Sequence, residues 1–109
     1  MDREREILQK ALGILVRELS PKRIYLFGSR GKKENVAGSD FDLAIELRGA
    51  VPSLTKKREI QDLLEAIAGL YSIDIVFLAE VESGFRSLIL ETGSLVYEQE
   101  RGTLLNQAV

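Results

Sequence analysis

The sequence predicts an α/β (α+β) fold, a small mixed sheet flanked by helices. Three observations carry this. Stretches with apolar residues at helical spacing are interspersed with short β-rich runs, one of those runs alternates between a large apolar set and a set that holds its charges, and no repeat, linker or low-complexity segment interrupts them. The 109 residues are read as a single domain, 1–109, large enough to bury a core and too small to build two.

Residues 3–19 carry Ile7, Leu8, Ala11, Leu12, Leu15 and Leu19 between charges, an amphipathic helix that Ser20-Pro21 ends because proline cannot continue it. Arg23 to Phe27 is a short strand stopped by Gly28. The polar stretch 30–39 reads as a short helical turn and a loop. From Phe41 to Leu47 a second strand turns Phe41, Leu43, Ile45 and Leu47 to one side and Asp40, Asp42, Ala44 and Glu46 to the other. Ser53 is placed to cap a helix running to about Leu70, with Ile60, Leu63, Leu64, Ile67 and Tyr71 as its apolar stripe. Ile73 to Leu78 is a third strand, apolar except for Asp74. A short helix over 82–91, with Phe85, Leu88 and Ile89 inward, stops at Gly93; Leu95 to Tyr97 is expected as a last, edge strand, and the tail after Glu98 as frayed or used in contacts.

Composition narrows the chemistry. There is no cysteine and no histidine, which removes disulfides, thiolate nucleophiles, zinc–thiolate sites and imidazole catalysis. Carboxylates, hydroxyls, Lys, Arg or a metal held by oxygen remain. The net charge of −2 argues against a broad nucleic-acid-binding surface, so no direct nucleic-acid contact is expected. No apolar run approaches a membrane span, and a soluble, cytoplasmic protein is expected.

The informative stretch is FGSRGKKENVAGSDFDLAIEL, residues 27–47. Side chains two apart on a strand share a face, so Asp40 and Asp42 point to one place, where two charges about 4 Å apart repel by roughly 1 kcal/mol in water and about 4 at an effective dielectric near 20. A cation belongs there. Hard oxygen donors without His or Cys suit Mg²⁺, with Mn²⁺ as the alternative, completed by water and substrate phosphates. Asp74, alone in its apolar strand, faces the same point if its strand lies beside 41–47, and two ions held by such carboxylates serve in-line attack on phosphorus. Gly28 allows close backbone approach, the amides and hydroxyl around Ser29 can cradle phosphate, and Arg30, Lys32 and Lys33 add positive charge. The spacing is neither that of a P-loop nor that of a calcium loop. Each feature has a plainer reading by itself: Ser39-Asp40 as a turn, Asp74 as a strand-start carboxylate, Gly28-Ser29 as the end of a strand, Glu46 as an ion-paired or solvent-facing group, the three tyrosines as packing. Their combination favours a site.

Gly28-Ser29, ten residues, then Asp40-x-Asp42 and a later strand aspartate at Asp74 resemble the signature of the polymerase-β-type nucleotidyltransferase superfamily, and in length and layout the chain resembles the minimal, MntA-like antitoxin nucleotidyltransferases. The resemblance runs from the helix before Ile24 to Tyr97. It implies a polymerase-β-like core in which Gly28 and Ser29, with Arg30 and Lys32 nearby, hold the triphosphate of ATP. It also implies that Asp40, Asp42 and Asp74 bind two Mg²⁺ ions, Asp74 also helping to deprotonate the acceptor. The implied reaction is AMP transfer to a hydroxyl, for the MntA-like members a tyrosine of a partner HEPT-domain RNase toxin, in a hetero-oligomer. Lys33 departs from the glycine many members carry there. The alternative is a binding module that keeps the nucleotide pocket but acts by stoichiometric docking on its partner.

Overall fold

A computed structural model describes residues 3–28 and 41–105. In chain order its elements are α1 (Arg3–Leu19), β1 (Arg23–Phe27), β2 (Phe41–Glu46), α2 (Leu54–Ala68), β3 (Ile73–Phe77), α3 (Ser83–Thr92), β4 (Ser94–Glu98) and β5 (Gly102–Thr103). The strands form one mixed sheet in the order β3-β2-β1-β4-β5, antiparallel throughout except for the parallel pair β2–β3. That parallel pair requires a crossover, and α2 makes it. None of the helices among the described residues is long and apolar enough to cross a membrane.

Helix α1 ends as its sequence dictates. Ser20 adopts a left-handed conformation (φ 46°), its N–H still donates to the Val16 carbonyl (3.0 Å), and Pro21 follows. Ser53 caps α2 by accepting from the Lys56 N–H at 3.2 Å.

The two faces of the sheet are covered unequally. On one, α1 (Ile7, Leu8, Ala11, Leu12, Leu15) and α2 (Ile60, Leu64, Ala68) bury Ile24, Leu26, Leu43, Ile45 and Val96. On the other, α3 contributes Ile89 to a smaller cluster with Ala44 and Leu78, flanked by Tyr25, Phe27 and Val76. Strand β2 therefore serves two cores: Ala44, expected on the same side as the aspartates, is fully buried beneath α3.

Four expectations need correction. Leu63 is 38% exposed, because α2 meets its neighbours along the narrow seam Ile60–Leu64–Ala68 and position 63 falls on the flank. In α3 only Ile89 is buried, while Phe85 and Leu88 are 39% and 51% exposed, since a ten-residue helix lying on one corner of a sheet covers it with a single row. Strand β4 is interior, between β1 and β5. The tail after Glu98 is partly ordered: Arg101 N–H donates to Glu98 C=O (3.0 Å), Gly102 turns at φ 74°, Leu104 N–H returns to Val96 C=O (2.8 Å), and Leu105 is buried in the main core.

Candidate functional site

Strand register decides where the aspartates meet. In the parallel ladder Asp42 is paired with Asp74, and in the antiparallel ladder Phe27 is paired with Asp42. Residues in register on adjacent strands project to the same face, here the face of α3, because Phe41, Leu43 and Ile45 on one side and Ile73 and Phe77 on the other are committed to the α1/α2 core. Asp42 is half-buried and Asp74 exposed. The two carboxylates thus stand side by side, about 5 Å apart at the backbone, at the end of the sheet where β1 finishes and β2 and β3 begin.

Gly28 completes the described part of the site. It follows Phe27 at φ +74°, and a Cβ placed on it would lie 2.6 Å from Asp42 Oδ2, well inside contact distance. The backbone at Gly28 therefore lies close against the Asp42 carboxylate, an approach that a residue with a side chain would block. Behind it, Gly93 presses on β1: its own Cβ would meet the Leu26 carbonyl oxygen at 3.2 Å and Phe27 Cβ at 3.6 Å. Phe85 of α3 meets the Phe27 ring edge to face, centroids 5.7 Å apart. These contacts hold the end of β1, and so Gly28, from the α3 side. The sequence marks Gly93 only as a helix stop; its close approach to β1 becomes visible once the strands are placed.

Of the residues read from the sequence, Gly28, Asp42 and Asp74 are brought together. Ser29, Arg30, Lys32 and Asp40 lie outside the described residues. Among the described residues no three acidic side chains cluster as a metal cage.

The remaining polar residue on this face of β2 has another task. Glu46 accepts from Arg23 Nη1 at 3.0 Å and lies 3.8 Å from Lys22 Nζ, while Arg23 Nε also donates to Glu98 at 3.0 Å. Hydrogen bonding to Glu46 and then Glu98 holds the Arg23 guanidinium above its usual range, and Arg101 followed by Arg23 holds the Glu98 carboxyl below its own. Asp74, by contrast, makes no hydrogen bond or ion pair with the described residues. At one end of the sheet Glu46 and Glu98 are paired with Lys22, Arg23 and Arg101; at the other, two carboxylates on neighbouring strands bring hard oxygen atoms beside Gly28. That donor set fits a divalent cation such as Mg²⁺, with Asp42 and Asp74 as the groups that would hold it.

Carboxylates in register on adjacent strands, beside a glycine that admits close backbone approach, are the parts of a site that takes a divalent cation together with substrate phosphates. The chain belongs to the polymerase beta nucleotidyltransferase family, which it matches over residues 9–102, and is of the minimal, MntA-like type. It is 33% identical over 69 residues to the protein adenylyltransferase MntA of Thermococcus cleftensis, an alignment covering 63% of this chain and 68% of that one. Among solved structures, a minimal nucleotidyltransferase superposes with a TM-score of 0.68 at 25% identity, covering 85% of this chain and 94% of the other. A toxin–antitoxin with AMP-PNP gives 0.66 at 23% over 91% of this chain and 77% of that one, and the toxin–antitoxin MntA–HepT gives 0.61 at 22% over 85% and 71%.

Proposed function

We propose that this chain transfers AMP from ATP to a protein hydroxyl, a tyrosine of a HEPT-type RNase toxin, and so acts as the antitoxin of that pair, with residues 1–109 working as a single nucleotidyltransferase domain. The observation that carries the reading is the register Phe27–Asp42–Asp74 across β1, β2 and β3, with Gly28 against Asp42. The adenylyltransferase named in Thermococcus and the AMP-PNP and HepT complexes of fold relatives support the choice of nucleotide and partner.

In this reading Gly28 and Ser29, with Arg30 and Lys32, bind the triphosphate. Asp40, Asp42 and Asp74 are the groups that would hold Mg²⁺, which when bound neutralises the carboxylates and the phosphate oxygens together. The acceptor hydroxyl oxygen forms a bond to the α-phosphorus, its proton passes to Asp74, the bond from the α-phosphorus to the bridging oxygen breaks, and pyrophosphate leaves with the electron pair. The partner is expected to bring its own tyrosine to the site, in a hetero-oligomer.

The test incubates the protein with radiolabelled ATP, Mg²⁺ and a HEPT-type toxin. Label is expected on the toxin, and Asp42→Asn is expected to lower the rate about a hundredfold or more, since it removes charge from where transition-state charge is balanced. Equal neutralisation of the toxin by wild type and Asp42→Asn would reject catalysis in favour of stoichiometric docking.

A further inference from the structure

Strand β3 is an outer strand of the sheet. Its alternate backbone groups belong to β2: Phe41 N–H donates to Ser72 C=O (2.8 Å) and Leu78 N–H to Ile45 C=O (3.0 Å), so Ser72, Asp74, Val76 and Leu78 turn inward while Ile73, Ile75 and Phe77 turn outward. Two of the outward carbonyls are satisfied locally. Gln61 Nε2 donates to Ile73 C=O and Glu80 N–H to Phe77 C=O, both at 2.8 Å. The N–H and C=O of Ile75 and the N–H of Phe77 make no hydrogen bond among the described residues. Along this edge runs a groove of about 380 Å³, with Ile75, Phe77 and Val81 on one side and Lys57, Arg58 and Gln61 of α2 on the other. Lys57 is paired with Glu80 at 2.8 Å, whereas exposed Arg58 has no ion pair among the described residues.

We propose that this groove receives an extended segment of the acceptor protein, which adds to β3 as a further strand through the backbone of Ile75 and carries an acidic residue to Arg58. The proposal rests on the nucleotidyl-transfer reading and names how the acceptor is presented. An added strand lies about 4.8 Å from β3, and its residue opposite Asp74 projects onto the face that carries Asp42 and Asp74. A hydroxyl at that position stands beside the carboxylate that takes its proton. An edge with no strand partner at Ile75 among the described residues, the space beside it, Arg58 without an ion pair among those residues and continuity with Asp74 select a strand-forming, acidic segment over a helix or a small molecule. Gln61, closing the edge at Ile73, and Glu80, closing it at Phe77, limit pairing to the backbone of Ile75 between them.

The test uses a short synthetic peptide with one tyrosine between β-branched residues and glutamates at one end, its analogue N-methylated on alternate backbone amides, and radiolabelled ATP with Mg²⁺. Label transfer and ATP binding are measured for wild type, Ile75→Pro and Arg58→Glu. Ile75→Pro removes an outward N–H without touching the ladder to β2, and exchanges a partly buried side chain for the smaller proline ring, so in the folded variant ATP binding is expected to be unchanged while the peptide KM rises about tenfold, the scale of one lost hydrogen bond; methylation of the peptide does the same to the unaltered protein. Arg58→Glu raises KM for the glutamate peptide and lowers it for a lysine-flanked one. Wild-type KM values with folded Ile75→Pro, or with the methylated peptide, overturn strand addition while leaving nucleotidyl transfer in place. If Ile75→Pro does not fold, the methylated peptide decides alone. ATP binding without label on any acceptor, HEPT-type toxin included, overturns both.

Discussion

Gly28 is the residue at which backbone and chemistry are least separable. Its φ of +74° would cost an alanine about 1–2 kcal/mol, and the added Cβ would stand 2.6 Å from Asp42 Oδ2. Gly28→Ala is therefore expected to lose ATP binding in the presence of Mg²⁺ out of proportion to its lost stability, which calorimetric titration and thermal melting measure on the same sample. Asp74 separates the two quantities in the opposite direction. It is exposed, next to Asp42, and unpaired among the described residues, so Asp74→Asn relieves like-charge repulsion. With a chelator present the variant should melt at the same temperature as wild type or slightly above it, whereas Mg²⁺ should raise the melting temperature of wild type alone. A wild type indifferent to Mg²⁺ would argue against a carboxylate cation site.

At the level of elements, α3 depends on an unusual cap. The Glu82 carboxylate accepts from Phe85 N–H at 2.9 Å, and hydrogen bonds from the backbone of Phe85 and then Gly84 hold its carboxyl below the ordinary 4.5. A depressed acid contributes stability that is complete above its ordinary range and is lost as pH falls through the lowered value. The melting temperature of wild type should therefore fall more between about pH 7 and about pH 3 than that of Glu82→Gln. Ser53→Ala should cost about 1 kcal/mol at any pH, a difference that urea denaturation resolves. Helices and inner strands were legible because their signals are local: the spacing of Ile7, Leu8, Leu12 and Leu15, the Ser20-Pro21 stop, the Ser53 cap and the alternation of β2. The second turn at Gly102 was not, because β5 is two residues long and carries no periodicity; it exists because Leu105 finds room in a core built by distant residues. Leu63 and Leu88 show the same limit, since a periodic stripe reports which face is apolar and not how much of it the neighbours cover.

At the scale of the whole molecule, the sheet order sets which of the acidic residues marked by the sequence stand next to each other. Asp40, Asp42 and Asp74 stand out in the sequence as charges that a hydrophobic strand should not carry, and for Asp42 and Asp74 the sheet order supplies the juxtaposition. The sequence could not show that Ala44 lies under α3, or that Gly93 braces β1, because both depend on where a short helix settles across the sheet. Leu43, fully buried beneath α1 and α2 and adjacent to Asp42, joins stability to the site: Leu43→Ala should cost about 2–5 kcal/mol, seen in denaturant titration. The parallel pairing of β2 with β3 has a further result in time. Neighbouring strands β1 and β2 can meet early, but Asp74 reaches Asp42 only after α2 has crossed the sheet. A chain still emerging from the ribosome, or stalled midway in refolding, would hold Gly28 and one half of the acidic pair without the other, so the return of nucleotide affinity should trail the appearance of helical signal.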